Sequence, residues 1–203
     1  MDIPPIRIVA IDPGTNSLGF AVLEVMDNCV EVLYADTLHG AKLAAVHTGL
    51  LEVHGERVTK LYALNHEIAA RLCTWMPHHV VSESPYMGRF PQAYAALIEC
   101  VGAIRNAVIA YDRQLPLHQL DPATVKQAVG VSGKTGDKTL MTAALKRLHT
   151  QIAIMDGTLD DLDEHAIDAI AVGAAFSVQM GYLTLPGGIK DERFRRSKKI
   201  RRK

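Results

Sequence analysis

The stretch "IVAIDPGTNSLGFAV" (residues 8–22) runs apolar up to Asp12, turns tightly, and runs apolar again. A carboxylate at the tip of a buried strand is costly unless a cation or a donor stands beside it. "HVVSE" (79–83) repeats the pattern and ends on Glu83. Further along, "DEHAIDAIAV" places His165 and Asp168 three residues apart, on one face of a helix. Asp12, Glu83, His165 and Asp168 together form an oxygen-rich set with one imidazole, which suits a hard divalent cation such as Mg²⁺ or Mn²⁺. Carboxylates from separate elements can hold two metals about 3.5–4 Å apart, the arrangement that cuts phosphodiesters. Taken singly, each residue has an ordinary use. Asp12 in "DPGT" serves as a turn former, Glu83 as half of a loop salt bridge, and His165 as a bystander. Asp160, Asp161, Asp163 and Glu164 are acids of the kind favoured at a helix N-terminus. The combination is what points to a site.

Three strands, 7–12, 17–25 and 29–38, are joined by short Gly-, Asn- and Asp-bearing turns, as in an antiparallel meander. Residues 39–57 are ambiguous. From Val58 to Trp75 apolar residues recur at helical spacing, and Pro77 ends the run. The strand 79–83 follows, then the loop "SPYMGRFP" (84–91). The helix 92–111 is apolar nearly all round, so it belongs in a core or at an interface. A strand at 115–120 precedes Asp121, which is placed to cap a short helix with Pro122 at its first position. "VGVSGKTGD" (129–137) reads as a Gly-rich loop, with Asp137 a candidate cap for a helix running to about His149. The last helix starts among "DDLDEH" (160–165), runs to about Met180 and closes at Gly181. Five strands interleaved with helices give an α/β fold, a mixed sheet flanked by helices.

With 203 residues, 48% of them hydrophobic, the chain suits one domain with a real core. Cys29, Cys73 and Cys100 are odd in number and lack CxxC spacing, which fits a reducing compartment and excludes a disulfide framework. No apolar run reads as long enough to span a membrane, and "MDIPPIRIVAID" shows no export signal. A cytoplasmic location, in a bacterial or a virus-infected host cell, is the expectation. The formal net charge of zero hides an asymmetry: residues 191–203 hold 8 Lys/Arg against 2 acids. Such a sign-segregated tail is a nucleic-acid feature or a solubility device, and the first reading is preferred. The expected organisation is a nuclease domain over 1–186 and a basic C-terminal tail over 187–203.

"AIDPGTNSLGFAV", "VVSESPY", "DPATVKQAVGVSGKTGDK" and "DEHAIDAIAVGAA" resemble, in order and register over roughly residues 6–180, the motifs of the RuvC family of Holliday-junction resolvases. The resemblance implies an RNase H-like fold and a homodimer dependent on Mg²⁺ or Mn²⁺. Each subunit would nick one strand of a four-way DNA junction. It also implies that Asp12, Glu83, His165 and Asp168 hold metal, with His165 standing where many members have Asp. Lys138 would support the reaction, and Tyr86, Arg89, Lys126 and Lys134 would contact DNA. Two metals would activate a water and stabilise the leaving oxygen, giving 5′-phosphate and 3′-hydroxyl ends. Lysines would offset transition-state charge, and Tyr86 would stack on a base opened at the crossover.

Other classes stay in view. "IDPGTNSLGFAV" also resembles the phosphate loop of actin-like ATPases and sugar kinases, but those need two copies of the core and about twice this length. "AVGVSGKT" (128–135) misses the phosphate-binding spacing G-x-x-x-x-G-K-[ST] because Ala128 stands where the first Gly is required. A broader nuclease of forks and flaps, or a junction-binding module without catalysis, remain as alternatives, and no helicase partner is identified.

Overall fold

The computed structural model describes residues 5–88, 90–131 and 139–185. Arg89, Lys134, Asp137, Lys138 and the basic tail lie outside the described residues. The chain opens on the meander β1 (Ile6–Asp12), β2 (Ser17–Met26) and β3 (Cys29–His39). Then come α1 (Gly40–Ala44), α2 (Thr48–Trp75), β4 (His79–Glu83), α3 (Pro91–Tyr111), β5 (Leu117–Leu120) and α4 (Pro122–Ala128). After these come α5 (Thr139–Arg147), β6 (Ile152–Ile154), a short 3₁₀ turn at Leu159–Asp161, and α6 (Glu164–Met180). The sheet order is β5-β4-β1-β2-β3-β6. β1, β2 and β3 pair antiparallel, while β4 joins β1, β5 joins β4 and β6 joins β3 in parallel.

The sheet is covered on both faces, which is why its strands read as unbroken apolar runs. Side chains alternate between the faces. On one face Ile8, Ala10 and Val81 pack with α4, α5 and α6. On the other, Val9, Ile11 and Val80 pack with Leu64, Ile68 and Leu72 of α2 and Cys100, Ile104 and Val108 of α3. The same alternation, carried one step on, sends Asp12 and Glu83 to the α6 face.

Four features differ from the sequence reading. The sheet has six strands, because Ile152–Ile154 pairs with Val30–Val32 of β3. Three residues are too few to show a period, so that strand was indistinguishable from the end of a helix. α2 starts at Thr48, ten residues before the apolar pattern becomes regular, and Gly55 (φ 76°, ψ 172°) kinks it. Asp121 makes no capping bond to α4; its Oδ1 instead accepts from Ser84 Oγ at 3.2 Å. Finally, the 21-residue α3 contains an 18-residue stretch with a mean hydropathy of 1.4, long and apolar enough to cross a bilayer by length and composition. The sequence reading missed this because Glu99 and Arg105 break the run. α3 is pinned to α2 by an Arg57 Nε–Glu99 Oε2 ion pair of 2.8 Å and by Asn65 Nδ2 donating to Ala103 O at 2.8 Å.

Candidate active site

β1 and β4 run parallel and side by side, with Ile11 opposite Ser82. Their C-terminal ends therefore deliver Asp12 and Glu83 to the same edge and the same face. α6 supplies the rest. Its approach depends on Gly19, which sits directly across from Asp12 in the β1–β2 ladder. A Cβ at Gly19 would lie 1.9 Å from the His165 carbonyl oxygen and 3.2 Å from Ala169 Cβ. Gly173 repeats the device lower down, where a Cβ would meet Leu23 Cδ1 at 2.5 Å. Two glycines thus let one helix lie directly on the sheet.

The start of α6 is fixed as well. Asp163 caps it, Oδ1 accepting from the His165 and Ala166 N–H groups at 3.1 Å each. The Thr37 hydroxyl of β3 donates to the same oxygen. Burial opposes the charge on Asp163, but these hydrogen bonds outweigh it and hold the carboxyl below its ordinary range.

Across 153 positions of sequence, His165 Nδ1 comes to 3.1 Å from Asp12 Oδ2. Its Nε2 stands 3.7 Å from Glu164 Oε1. The bond to Asp12 raises the imidazole above its ordinary value. The other two acids are pushed the same way. Burial, then the charges of Asp12 and Asp168, lift Glu83 to about 8, with Lys126 pulling against them. Burial and the charge of Asp12 lift Asp168 to about 6, opposed by His165 and Lys126. Three carboxylates from three elements thus crowd one half-buried place, with Lys126 of α4 close enough to act on two of them.

Like charges confined this way are relieved by protonation or by a cation. The donor set, oxygens with one nitrogen, fits a hard or borderline dication. Among the described residues no three His, Cys, Asp or Glu side chains stand as a ready-made ion cage. One oxygen of Asp12 is engaged by His165 instead.

All four residues expected to hold metal, and Lys126, therefore gather at one place. Tyr86 does not join them. It stands 69% exposed in the loop after Glu83, with Met87 and Phe90 also exposed. The expectations for Arg89, Lys134 and Lys138 fall outside the described residues. Gly19 and Thr37 were missed, whereas Asp163, read as an acid favoured at a helix N-terminus, is the cap of α6. For Gly19, a glycine inside a strand was the available signal.

Comparison with known proteins shows which family the chain resembles. The model of the family described as crossover junction endodeoxyribonuclease RuvC matches residues 8–178. The crossover junction endodeoxyribonuclease RuvC of Desulfitobacterium hafniense is 31% identical over 177 residues, covering 85% of this chain and 94% of that protein. The Bacteroides fragilis protein of the same name is 22% identical over 176 residues, covering 86% and 83%. Among solved structures, T. thermophilus RuvC in complex with Holliday junction substrate superposes with a TM-score of 0.63 at 17% identity, covering 87% of this chain and 98% of that one. The yeast mitochondrial Holliday junction resolvase gives 0.55 at 12% identity, covering 87% and 79%. These superpositions establish the shared RNase H-like fold.

Proposed function

The chain belongs to the RuvC family of crossover junction endodeoxyribonucleases, and from that premise we propose how its residues divide the work. It is an endodeoxyribonuclease that resolves Holliday junctions. Its family's nucleases depend on a divalent metal. Asp12, Glu83, His165 and Asp168 would hold that metal, and the crowding of their charges is the observation that carries the assignment. Mg²⁺ or Mn²⁺ held there, as one ion or a pair, would supply activation of water and stabilisation of the leaving 3′ oxygen.

The chain's own groups do the remaining work. Asp12 holds His165 through Nδ1, which fixes the ring toward the acids. Glu83, lifted to about 8, holds a proton at neutral pH and would give it up as cation arrives, whereas Asp168, near 6, is already mostly ionised there. Lys126, whose charge acts on both acids, would offset charge on a phosphate entering between them. Tyr86, standing clear of the surface, supplies an aromatic face for an unpaired base at the crossover. We assign the nuclease to residues 1–186 and sequence-blind phosphate contacts to the basic tail 187–203, in a homodimer that makes paired nicks with 5′-phosphate and 3′-hydroxyl ends. A cytoplasmic setting is part of this reading.

Labelled duplex, flap, fork and four-way DNA, incubated with Mg²⁺ or Mn²⁺, test it. The four-way junction should be cut in two symmetric strands, and Asp12→Asn, Glu83→Gln and Asp168→Asn should each bind it without cutting. Equal cutting of flaps and forks would broaden the substrate. A variant that cuts at the wild-type rate would remove its residue from the metal set.

A further inference from the structure

A groove of about 410 Å³ opens beside His165, between the β1–β2 turn and α3. That size lies within the range of about 300–1,000 Å³ typical of small-molecule sites. One wall is polar and comes from Thr15, Asn16 and Ser17 of the turn; the other is apolar and comes from Ala93, Ala96 and Leu97 of α3. On a helix these last three share one face with Cys100, four residues beyond Ala96. Cys100 itself is buried behind that face, its sulfur set against the Gly14 N–H. The groove exists because positions 93 and 96 carry only methyl groups. The turn is held rigid from behind. Lys60 Nζ donates to Asn16 Oδ1 at 3.0 Å, and the Gly40 N–H donates to Asn16 O at 2.9 Å. Fixing Oδ1 in this way leaves the Asn16 amide NH₂ as the donor for an incoming group.

We propose that this groove seats the deoxynucleoside next to the scissile phosphate, and that Thr15, Asn16 and Ala96 set the base preference at the cut. The inference rests on the endonuclease reading above. A nucleoside has flat apolar faces and a polar edge, which matches one wall of methyl groups facing one wall of hydroxyls and amide. It is tethered to a phosphate, and His165 at the end of the groove places that phosphate at the acids. A second copy of the chain is a poorer occupant, because a helix seated here would cover the imidazole the reaction needs.

The test is a library of four-way junctions randomised around the crossover, with the cut ends sequenced. Wild type should favour particular bases at one or two positions beside the cut. Ala96→Leu, which fills the groove, and Thr15→Val, which removes a hydroxyl at constant shape, should each change that preference at least fivefold. Thermal melting confirms that both variants fold. A second readout needs no cleavage: 2-aminopurine placed beside the crossover should change fluorescence when the junction binds Asp12→Asn protein, and Ala96→Leu in that background should abolish the change. Unaltered preference in both variants, or a wild type indifferent to base, overturns the groove assignment and leaves the nuclease intact. A wild type that cuts no junction overturns the endonuclease reading, and the fluorescence arm then decides whether the groove takes a base at all.

Discussion

Residue by residue, the site is a set of acids that resist being charged together. Folding raises Glu83 from an ordinary 4.5 to about 8 and Asp168 from 3.8 to about 6. Between those limits the folded chain holds more protons than the unfolded one. Its stability from these groups is therefore full below about pH 4 and is lost as pH rises through 6 and then 8. Metal-free protein should melt at falling temperature as pH climbs from 5 to 9, and saturating Mn²⁺ should restore most of the loss at the alkaline end. Glu83→Gln should flatten the metal-free profile and remove the cleavage. A melting temperature independent of pH over this range, with and without Mn²⁺, would contradict the crowding. His165 belongs to the same scale. An imidazole favours softer cations than a carboxylate does, so His165→Asp should stay active and shift preference from Mn²⁺ toward Mg²⁺ in cleavage assays. His165→Ala should lose most activity.

At the scale of elements, the site depends on how closely α6 lies on the β1–β2 pair. Gly19 sets that distance at the level of Asp12, and any side chain there must push the His165 backbone outward. Gly19→Ala should cost roughly 1–3 kcal/mol in denaturant unfolding, as overpacking does. It should also lower cleavage by about 100-fold, because displacements of about 1 Å cost that much. Gly49→Ala is the control, since a Cβ there meets nothing within 4 Å. In the helix it should be neutral or stabilising by up to about 1 kcal/mol. Equal effects of the two substitutions would mean that Gly19 has no part in positioning His165. Gly49 carries little sequence signal, whereas Gly19 is legible as a glycine interrupting a strand.

For the whole molecule, two surfaces carry the expectations. α3 buries Val101, Ile104 and Val108 but leaves Ile98 and Ile109 47% and 49% exposed, eleven residues apart and so on one stripe of the helix. That stripe fits a two-fold contact between subunits. Sedimentation at micromolar concentration should give a dimer, and Ile98→Asp with Ile109→Asp should give a folded monomer. A wild-type monomer, free and on junction DNA, would reject the contact. The second surface is the tail, with 8 Lys/Arg among residues 191–203. Each phosphate it neutralises should steepen the dependence of log K on log salt by about 0.7–0.9. Truncation after Lys190 should therefore weaken binding to every DNA shape and flatten the slope. An unchanged slope would leave the tail without phosphate contacts.

The convergence of Asp12, Glu83, His165 and Asp168 was legible from residue type and spacing, and so were the meander and the α/β class. These rest on local properties: a strand's period of two and a helix's i, i+3 pair. The sixth strand, the early start of α2, the freeing of Asp121 from its cap and the groove beside His165 were not legible. Each depends on partners distant in the chain. Ile152–Ile154 becomes a strand because β3 offers it an edge, and Asp121 turns to Ser84 because β4 ends beside β5. The raised Glu83 and Asp168 belong to the same class, since burial and neighbouring charge come into being only when β1, β4 and α6 meet.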